Sequence, residues 1–232
     1  MASLTIDHGA TGAHIAEKLR EDILAGLYVP GERIRPDEIA EHHGASRVPV
    51  REALLKLENE GLVTMIANRG SWVSELNQLE CQELYHMREH LEPMLLGLNV
   101  PLIKDADIDE LQSLANEMEA CDDVESFLTM DREFHLSRLR YAPTVVLAET
   151  VLSLWNRTQH YRRAVTRLYY TGGDLSLHHD HQLIVGALRR RDEHEATSSL
   201  ATHIRRSRME LAKHPEVFAE ARSSKHTTTR RQ

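Results

Sequence analysis

Apolar residues return at every fourth position from His14 to Leu27, at Ile15, Leu19, Ile23 and Leu27. That period predicts an amphipathic helix with one buried stripe. Pro30-Gly31 marks a turn after it. Pro36 to His43 reads as a short second helix, closed by Gly44 just past its end. Ser46 is a good N-cap for a third helix, whose apolar stripe is Val50, Ala53, Leu54 and Leu57. Pro49 falls in the first turn of that helix, where its missing N–H has no intrahelical partner to lose. After Gly61-Leu62 two strand-like runs, VTMIA and GSWVSEL, flank a hairpin turn at Asn68-Arg69-Gly70. Helix, helix–turn–helix and hairpin together make the layout of a winged helix-turn-helix.

Beyond the hairpin no strand pattern remains. Asn77, with Glu80 three residues on, predicts a capped helix over Gln78–Leu98. Its expected inward stripe is Cys81, Leu84, Met87, Leu91, Met94/Leu95 and Leu98, with a kink at Pro93. Helices over Asp105–Ala120, Val124–Arg140, Pro143–Tyr169, Leu175–Arg191 and Glu193–Lys213 complete a set of six. The expected fold is mainly α: a winged helix-turn-helix over residues 1–74 and an all-α antiparallel helical bundle over 75–221. The tail, 222–232, has four basic residues, no acidic and no apolar one, and is expected to be disordered.

Charge sharpens this division. The chain of 232 residues carries a formal net charge of −8. Residues 1–74 account for −3 and residues 75–221 for −9. Such acidity excludes a non-specific polyelectrolyte binder and leaves open a sequence-specific one that relies on a few placed arginines. Cys81 and Cys121 are the only cysteines, which rules out a disulfide scaffold or a cysteine zinc module and fits a reducing cytosol. The first residues lack a basic and an apolar region of the secretory kind, and no apolar run spans a membrane. The expected location is the cytoplasm.

The third helix begins Ser46-Arg47-Val48-Pro49-Val50-Arg51. In a winged helix-turn-helix this end enters the major groove. Arg47 and Arg51 are four apart and share a face, and arginine can donate two bonds to guanine O6 and N7. Ser46 and the helix N-terminal amides suit a phosphate. Arg69 and Gly70, at the hairpin tip, suit a minor groove or the backbone. Two arginines alone would serve equally well as a solvated helix face; their position behind the Gly44 turn makes them part of a unit. The segment GERIRPDEIAEHHGASRVPVREALLKLENEGLV…NRGSWV resembles the DNA-binding domain of GntR-type bacterial transcription regulators. The family pattern SR-x-PVREAL-x-x-L-x-x-EGLV runs from Ser46 through Val63 without a break. The expected DNA-binding set is Arg35, Ser46, Arg47, Val48, Pro49, Arg51, Arg69 and Gly70. One position departs: the family often has a DNA-gripping arginine ten residues before Arg47, and here that residue is Asp37. Arg35 is the nearest substitute.

Of the 15 histidines, three interrupt apolar stripes. His135 follows Asp131 by four residues on the helix that carries Phe127, Met130 and Phe134. His181 lies among Leu177, Ile184, Val185 and Leu188, and His203 among Ala196, Leu200 and Ile204. A buried aspartate and three buried imidazoles are costly unless they share a partner, and a divalent metal is one. Local hydrogen bonding of each histidine is the alternative. His86 and His90 lie off their helix's stripe and read as surface, and the doublets at 42–43 and 178–179 receive no role.

The second domain is similar to the FCD class of GntR-regulator effector domains, in its smaller, VanR-like branch. The family's D-x-x-FH falls on Asp131 to His135, its H-x-x-[IL]-x-x-A-[IL] on His181 to Leu188, and its A-[ML]-x-x-H-[IL] on Ser199 to Ile204. The resemblance implies a divalent metal, zinc first and nickel or manganese as alternatives, held by Asp131, His135, His181 and His203. Arg88, which falls on the LY-x-x-RE-x-LEP stretch, can pair with an effector carboxylate or with Glu92 at i+4; both readings stand. Ala142-Pro143 occupies the place where the family often has Gly-Asn.

The expected protein is therefore a cytoplasmic, metal-containing, homodimeric repressor. It binds a palindromic operator in double-stranded DNA and is switched by a small organic-acid or sugar-acid effector. The competing expectation is a metal-dependent, hydrolase-like enzyme in which an Asp/His3 site activates water. No residue is clearly positioned as its general base, and the DNA-reading unit would go unexplained. A helical adaptor without DNA binding is opposed by the SRVPVRE stretch.

Overall fold

The computed structural model of the chain describes residues 8–137, 139, 141–173 and 176–218. The tail at 222–232 lies outside these residues. The chain divides into two compact units: one holds the residues up to Leu76 together with Phe218, the other spans Asn77–Val217.

The first unit runs α1 (His8–Leu24), β1 (Arg33–Ile34), α2 (Pro36–His42), α3 (Arg47–Asn59), β2 (Val63–Ile66) and β3 (Gly70–Val73). Ile15, Leu19 and Ile23 of α1 are buried as their spacing predicts, against Val50, Ala53, Leu54 and Leu57 of α3. Leu27 is not: α1 ends at Leu24, and Leu27 is largely exposed. The cause is Gly26 at φ +80, with Leu27 N–H bonding to Asp22 O and Gly26 N–H to Ile23 O. This is the paired closure that a left-handed glycine gives a helix end. β1 has no counterpart in the expected hairpin. Its two residues are too short for a periodic signal, yet Arg33 pairs with Trp72 and Ile34 with Ser71, giving the antiparallel order β1-β3-β2.

Among the described residues the second unit is built on six helices: α4 (Gln78–Asn99), α5 (Asp105–Glu119), α6 (Val124–Ser137), α7 (Val146–Gly172), α8 (Ser176–Arg189) and α9 (Glu193–Ala212). Asn77 and Glu80 form the reciprocal cap that opens α4, and the helix runs through Pro93. α4 packs chiefly on α9 and α7, α8 on α9 and α5, and α6 on α5 and α7.

The α4 stripe differs from expectation. Its buried face is Cys81, Leu84, Tyr85, Arg88, Glu92, Leu95, Leu96 and Asn99. Met87, Met94 and Leu98, expected inside, are 44%, 60% and 47% exposed. Arg88 and Glu92 can occupy the inside because they neutralise each other across one helical turn, which an unpaired charge could not do. Asn99 is inside for a different reason: its Oδ1 accepts the backbone N–H groups of Tyr141 and Ala142, and its Nδ2 donates to Leu95 O.

Candidate functional site

On the first unit, Gly44 at φ +58 makes the tight turn between α2 and α3. Arg47 is therefore the first residue of α3, and Ser46 the residue before it, in extended N-cap conformation. The Ser46 hydroxyl makes no capping bond. Arg47, Arg51, Asn68, Arg69 and Gly70 line one concavity of about 590 Å³ between α3 and the β2–β3 turn, and Asp37 of α2 lines it with them. Val48 stands exposed beside Arg47 on α3, an apolar side chain of the kind that meets a thymine methyl.

Two of the expected contacts are placed differently from the others. Pro49 is buried, and its carbonyl lies so near α1 that a Cβ on Gly12 would meet it at 3.2 Å. Its function is to start α3 against the core. Arg35 is not among the residues lining the concavity: it sits before α2, pairs with Glu38 at 2.7 Å, and lines a separate depression with Asp22, Glu32 and His42. The position it was expected to replace, Asp37, faces Arg47, with Oδ1 2.6 Å from Nε. Arg33 went unnoticed in the sequence. It stacks over Trp72 at 5.9 Å and donates to the Arg69 carbonyl, steadying the turn that carries Arg69. Its only sequence signal is its alternation with Ile34 and Arg35.

In the second unit, α6 supplies Asp131 and His135, α8 supplies His181 and α9 supplies His203. The four are buried, and one donor atom from each lies within 4.8 Å of the others. His135 Nε2 and His181 Nε2 are 3.3 Å apart, and Asp131 Oδ1 is 3.4 Å and 3.2 Å from them. Donors about 2.0–2.1 Å from a shared ion stand roughly 3.0–3.4 Å from each other, so this triangle fits a divalent cation. Phe134 lies against His181 at 4.8 Å between ring centroids, and Trp155 against His135 at 5.1 Å, fixing both rings. His203 Nδ1 lies 3.3 Å from Asp180 Oδ2, and Asp180 Oδ1 accepts from Arg206 at 3.2 Å. A carboxylate on the far nitrogen of an imidazole orients it and raises its basicity as a ligand. Asp180 was missed, although it stands directly before His181 in the sequence.

Beside this group lies a second buried set. Arg88 donates to Glu92 Oε1 at 2.5 Å and to Thr158 Oγ1 at 3.0 Å, so the ion-pair reading of Arg88 describes the structure as it stands. Its guanidinium lies 4.9 Å from the Tyr85 ring and 4.6 Å from the Trp155 ring. On that same Trp155 lies Arg162, at 3.9 Å, which bonds to Asp131 Oδ2 and to Gln159 Oε1. Burial, with Arg88 close by, pulls the Arg162 guanidinium down to about 9, so it is still charged at neutral pH. Burial also penalises the Arg88 charge, but Glu92 and Tyr85 more than offset this and raise its pKa. Among the described residues, Tyr85 Oη, Glu92 Oε2 and Trp155 Nε1 are buried without a hydrogen-bond partner. Arg162 was missed because α7 is rich in polar residues on every side.

Comparison with known proteins fixes what these two sites belong to. The family model for bacterial regulatory proteins of the gntR family matches residues 11–73, and that for the FCD domain matches residues 83–206. The chain is 30% identical over 179 residues to the Nta operon transcriptional regulator of Aminobacter aminovorans, covering 76% of this chain and 83% of that one. This chain belongs to the GntR family of transcription regulators, with an FCD domain as its second unit. The GntR regulator is also 26% identical over 195 residues to the transcriptional repressor GlaR of Escherichia coli K12, covering 80% of this chain and 89% of that one. Among solved structures, E. coli McbR/YncC matches with a TM-score of 0.75 at 23% identity, over 88% of this chain and 97% of that one, a likeness of fold. As a GntR regulator of the FCD type, the protein is a ligand-responsive DNA-binding regulator and not an enzyme, which sets the hydrolase alternative aside. No described helix is long and apolar enough to cross a membrane.

Proposed function

We propose that this GntR regulator is a metal-dependent homodimeric repressor, released from a palindromic operator by a small carboxylate effector. The observation that carries the reading is the buried group Asp131, His135, His181 and His203 beside two stacked guanidiniums, Arg88 and Arg162. Three imidazoles and one carboxylate suit zinc, with nickel or manganese as alternatives. A divalent ion bound there supplies a Lewis-acid position for an effector oxygen. Arg88 and Arg162 supply planar donor forks against the Trp155 ring, and Tyr85 Oη and Trp155 Nε1 supply further donors, all matched to a carboxylate. Two guanidiniums against Glu92 and Asp131 leave this buried group neutral, so adding a dication favours an anionic effector.

Met87, Leu91, Met94 and Leu98 follow heptad spacing along the outer face of α4. A self-complementary apolar stripe of this kind fits a second copy of the chain. Two heads then read two half-sites about 34–36 Å apart, one helical turn or a multiple of it. The effector acts only as far as it binds the two head arrangements differently. Repression is taken from GlaR, which is named as a repressor.

The test uses Trp155 as its own reporter, in a Trp72→Phe background. Metal analysis of the purified protein should find about one divalent ion per chain, as a single four-ligand site requires. Titration of that form with small di- and hydroxycarboxylates should change Trp155 emission and weaken binding to operator DNA in the same concentration range. A protein with no bound metal and no response of Trp155 to any carboxylate would overturn the reading. Met94→Glu with Leu98→Glu should halve the mass in sedimentation; an unchanged mass removes α4 as the dimer face.

A further inference from the structure

Asp37, on α2, faces Arg47 at the start of α3. We propose that Asp37 is a positioning residue: it holds Arg47 in the orientation that reads a guanine and withdraws it from the phosphate backbone. This rests on the proposed DNA-reading role of α3. The geometry is specific about which nitrogen is used. Asp37 Oδ1 forms an ion pair with Arg47 Nε at 2.6 Å. Nε is the inner nitrogen of the guanidinium, so both terminal amino groups stay available. A fork of two N–H donors is what guanine O6 and N7 require. The carboxylate thus sits on the inner side of the guanidinium and leaves the fork unoccupied. Arg47 also stands at the first position of α3, where a recognition helix reaches base edges, and it shares the concavity with Arg51 and Arg69.

The charge of Asp37 matters as much as its place beside Nε. At 68% and 79% exposed, Asp37 and Arg47 are in water in the free protein and meet DNA together. A carboxylate on that surface repels phosphate, and it compensates the charge that Arg47 would otherwise bring to any duplex. Non-specific binding, which depends on phosphate neutralisation, is therefore weakened, whereas a base edge that offers two acceptors is still served. A head of net charge −3 gains little from general attraction, so this device converts a weak electrostatic binder into a selective one.

The experiment uses the full-length protein and duplexes it selects from a random-sequence library. Wild type, Asp37→Ala, Asp37→Asn, Asp37→Arg and Arg47→Ala are compared by anisotropy at several salt concentrations. The duplexes are the selected one, the same one with each G·C pair changed to A·T, and a scrambled one. Arg47→Ala identifies the pair that Arg47 reads. At that pair, Asp37→Ala should lose roughly tenfold in discrimination, the size of one bidentate contact. Its affinity for the scrambled duplex should rise, and its salt slope should steepen by about one unit per head as Arg47 moves to phosphate. Asp37→Asn keeps the shape but removes the charge of the ion pair and should follow Asp37→Ala, while Asp37→Arg should raise scrambled-duplex affinity furthest. Unchanged discrimination and salt slope in Asp37→Ala would overturn the proposal. Failure of the wild type to select any sequence would instead overturn the DNA-reading role beneath it.

Discussion

Two aspartates in this protein each hold an arginine, and the two pairs obey different energetics. Asp131 holds Arg162 inside the bundle, where both side chains are 7% exposed. Asp37 holds Arg47 on the head, where both are largely in water. An exposed ion pair contributes about 0–1 kcal/mol, because water and salt screen it. A buried pair adds little over an apolar replacement, but removing one partner leaves a charge with neither water nor counter-ion. The first pair therefore constrains the fold, and the second can be altered without touching it. A regulator needs both kinds of site. A ligand chamber is selective because its polar groups are costly to leave unmatched, and a DNA face is readable because its groups are accessible.

The strongest test of this contrast is Arg162→Met. It strands the Asp131 carboxylate and should cost about 3–5 kcal/mol in urea unfolding of the chelator-treated protein. A divalent cation binding Asp131 would supply the missing positive charge, so added zinc should restore much of the loss. Equal stability of the variant and the wild type without metal would show that Asp131 is not held by Arg162. Loss that zinc leaves untouched would separate Asp131 from the proposed donor set.

Metal binding itself is the next effect in size. A ligand that binds only the native state stabilises it by about 2.7 kcal/mol at a hundredfold excess over its dissociation constant. Zinc should raise the wild-type melting temperature accordingly and leave His181→Ala where it was. His181 is fully buried among Phe134, Phe127 and the other donors, so the variant also leaves a small cavity. The informative quantity is the zinc-induced shift within each protein. A full shift in His181→Ala would remove that imidazole from the donor set.

The two regions also differed in how legible they were. Asp131, His135, His181 and His203 interrupt apolar stripes, and an interruption is visible in sequence because periodicity sets an expectation for every position. The four side chains do come together. Arg162 and Asp180 interrupt nothing: α7 reads NRTQHYRRAV at that point, and Asp180 stands in a run of histidines. The α4 stripe was misassigned by about one residue in rotation, because Met87, Leu91, Met94 and Leu98 are more apolar than Arg88 and Glu92, which lie inside. Hydrophobicity cannot register that two charges cancel. On the head no stripe marks Arg47, Arg51 or Arg69; they were legible only as members of a motif. The same motif hid Asp37, which looked like a missing grip until Arg47 proved to be its partner. Pro49 matched the motif and is nonetheless a core residue.

On the exposed side, Arg47→Ala should weaken binding to the selected duplex by about 1–3 kcal/mol per bidentate contact, a loss of roughly 5- to 150-fold. Unfolding in urea should shift by no more than about 0.5 kcal/mol, as is usual for a surface substitution. Anisotropy and urea titration on one preparation check both. A large stability loss would mean that Arg47 carries structural weight and that the contrast with Arg162 is false.

The smallest effect lies between the two extremes. His160 is partly buried on α7, and burial first, then Arg163 and Arg167, holds its pKa down to about 4. The unfolded chain binds a proton near the ordinary histidine value of about 6.5. The native state therefore refuses a proton that the unfolded state accepts between these values. The stability this gives is complete above about 6.5 and is lost progressively as pH falls toward 4. Glu125 pairs with both Arg163 and Arg167 and softens the repulsion, so the loss should be on the order of 1 kcal/mol. The quantity that isolates His160 is the difference between wild type and His160→Gln at each pH, both without metal. That difference should grow as the solution is acidified from pH 7 to pH 4.5, with the glutamine variant gaining on the wild type. A constant difference would mean that His160 titrates normally and that its surroundings resemble the head more than the bundle.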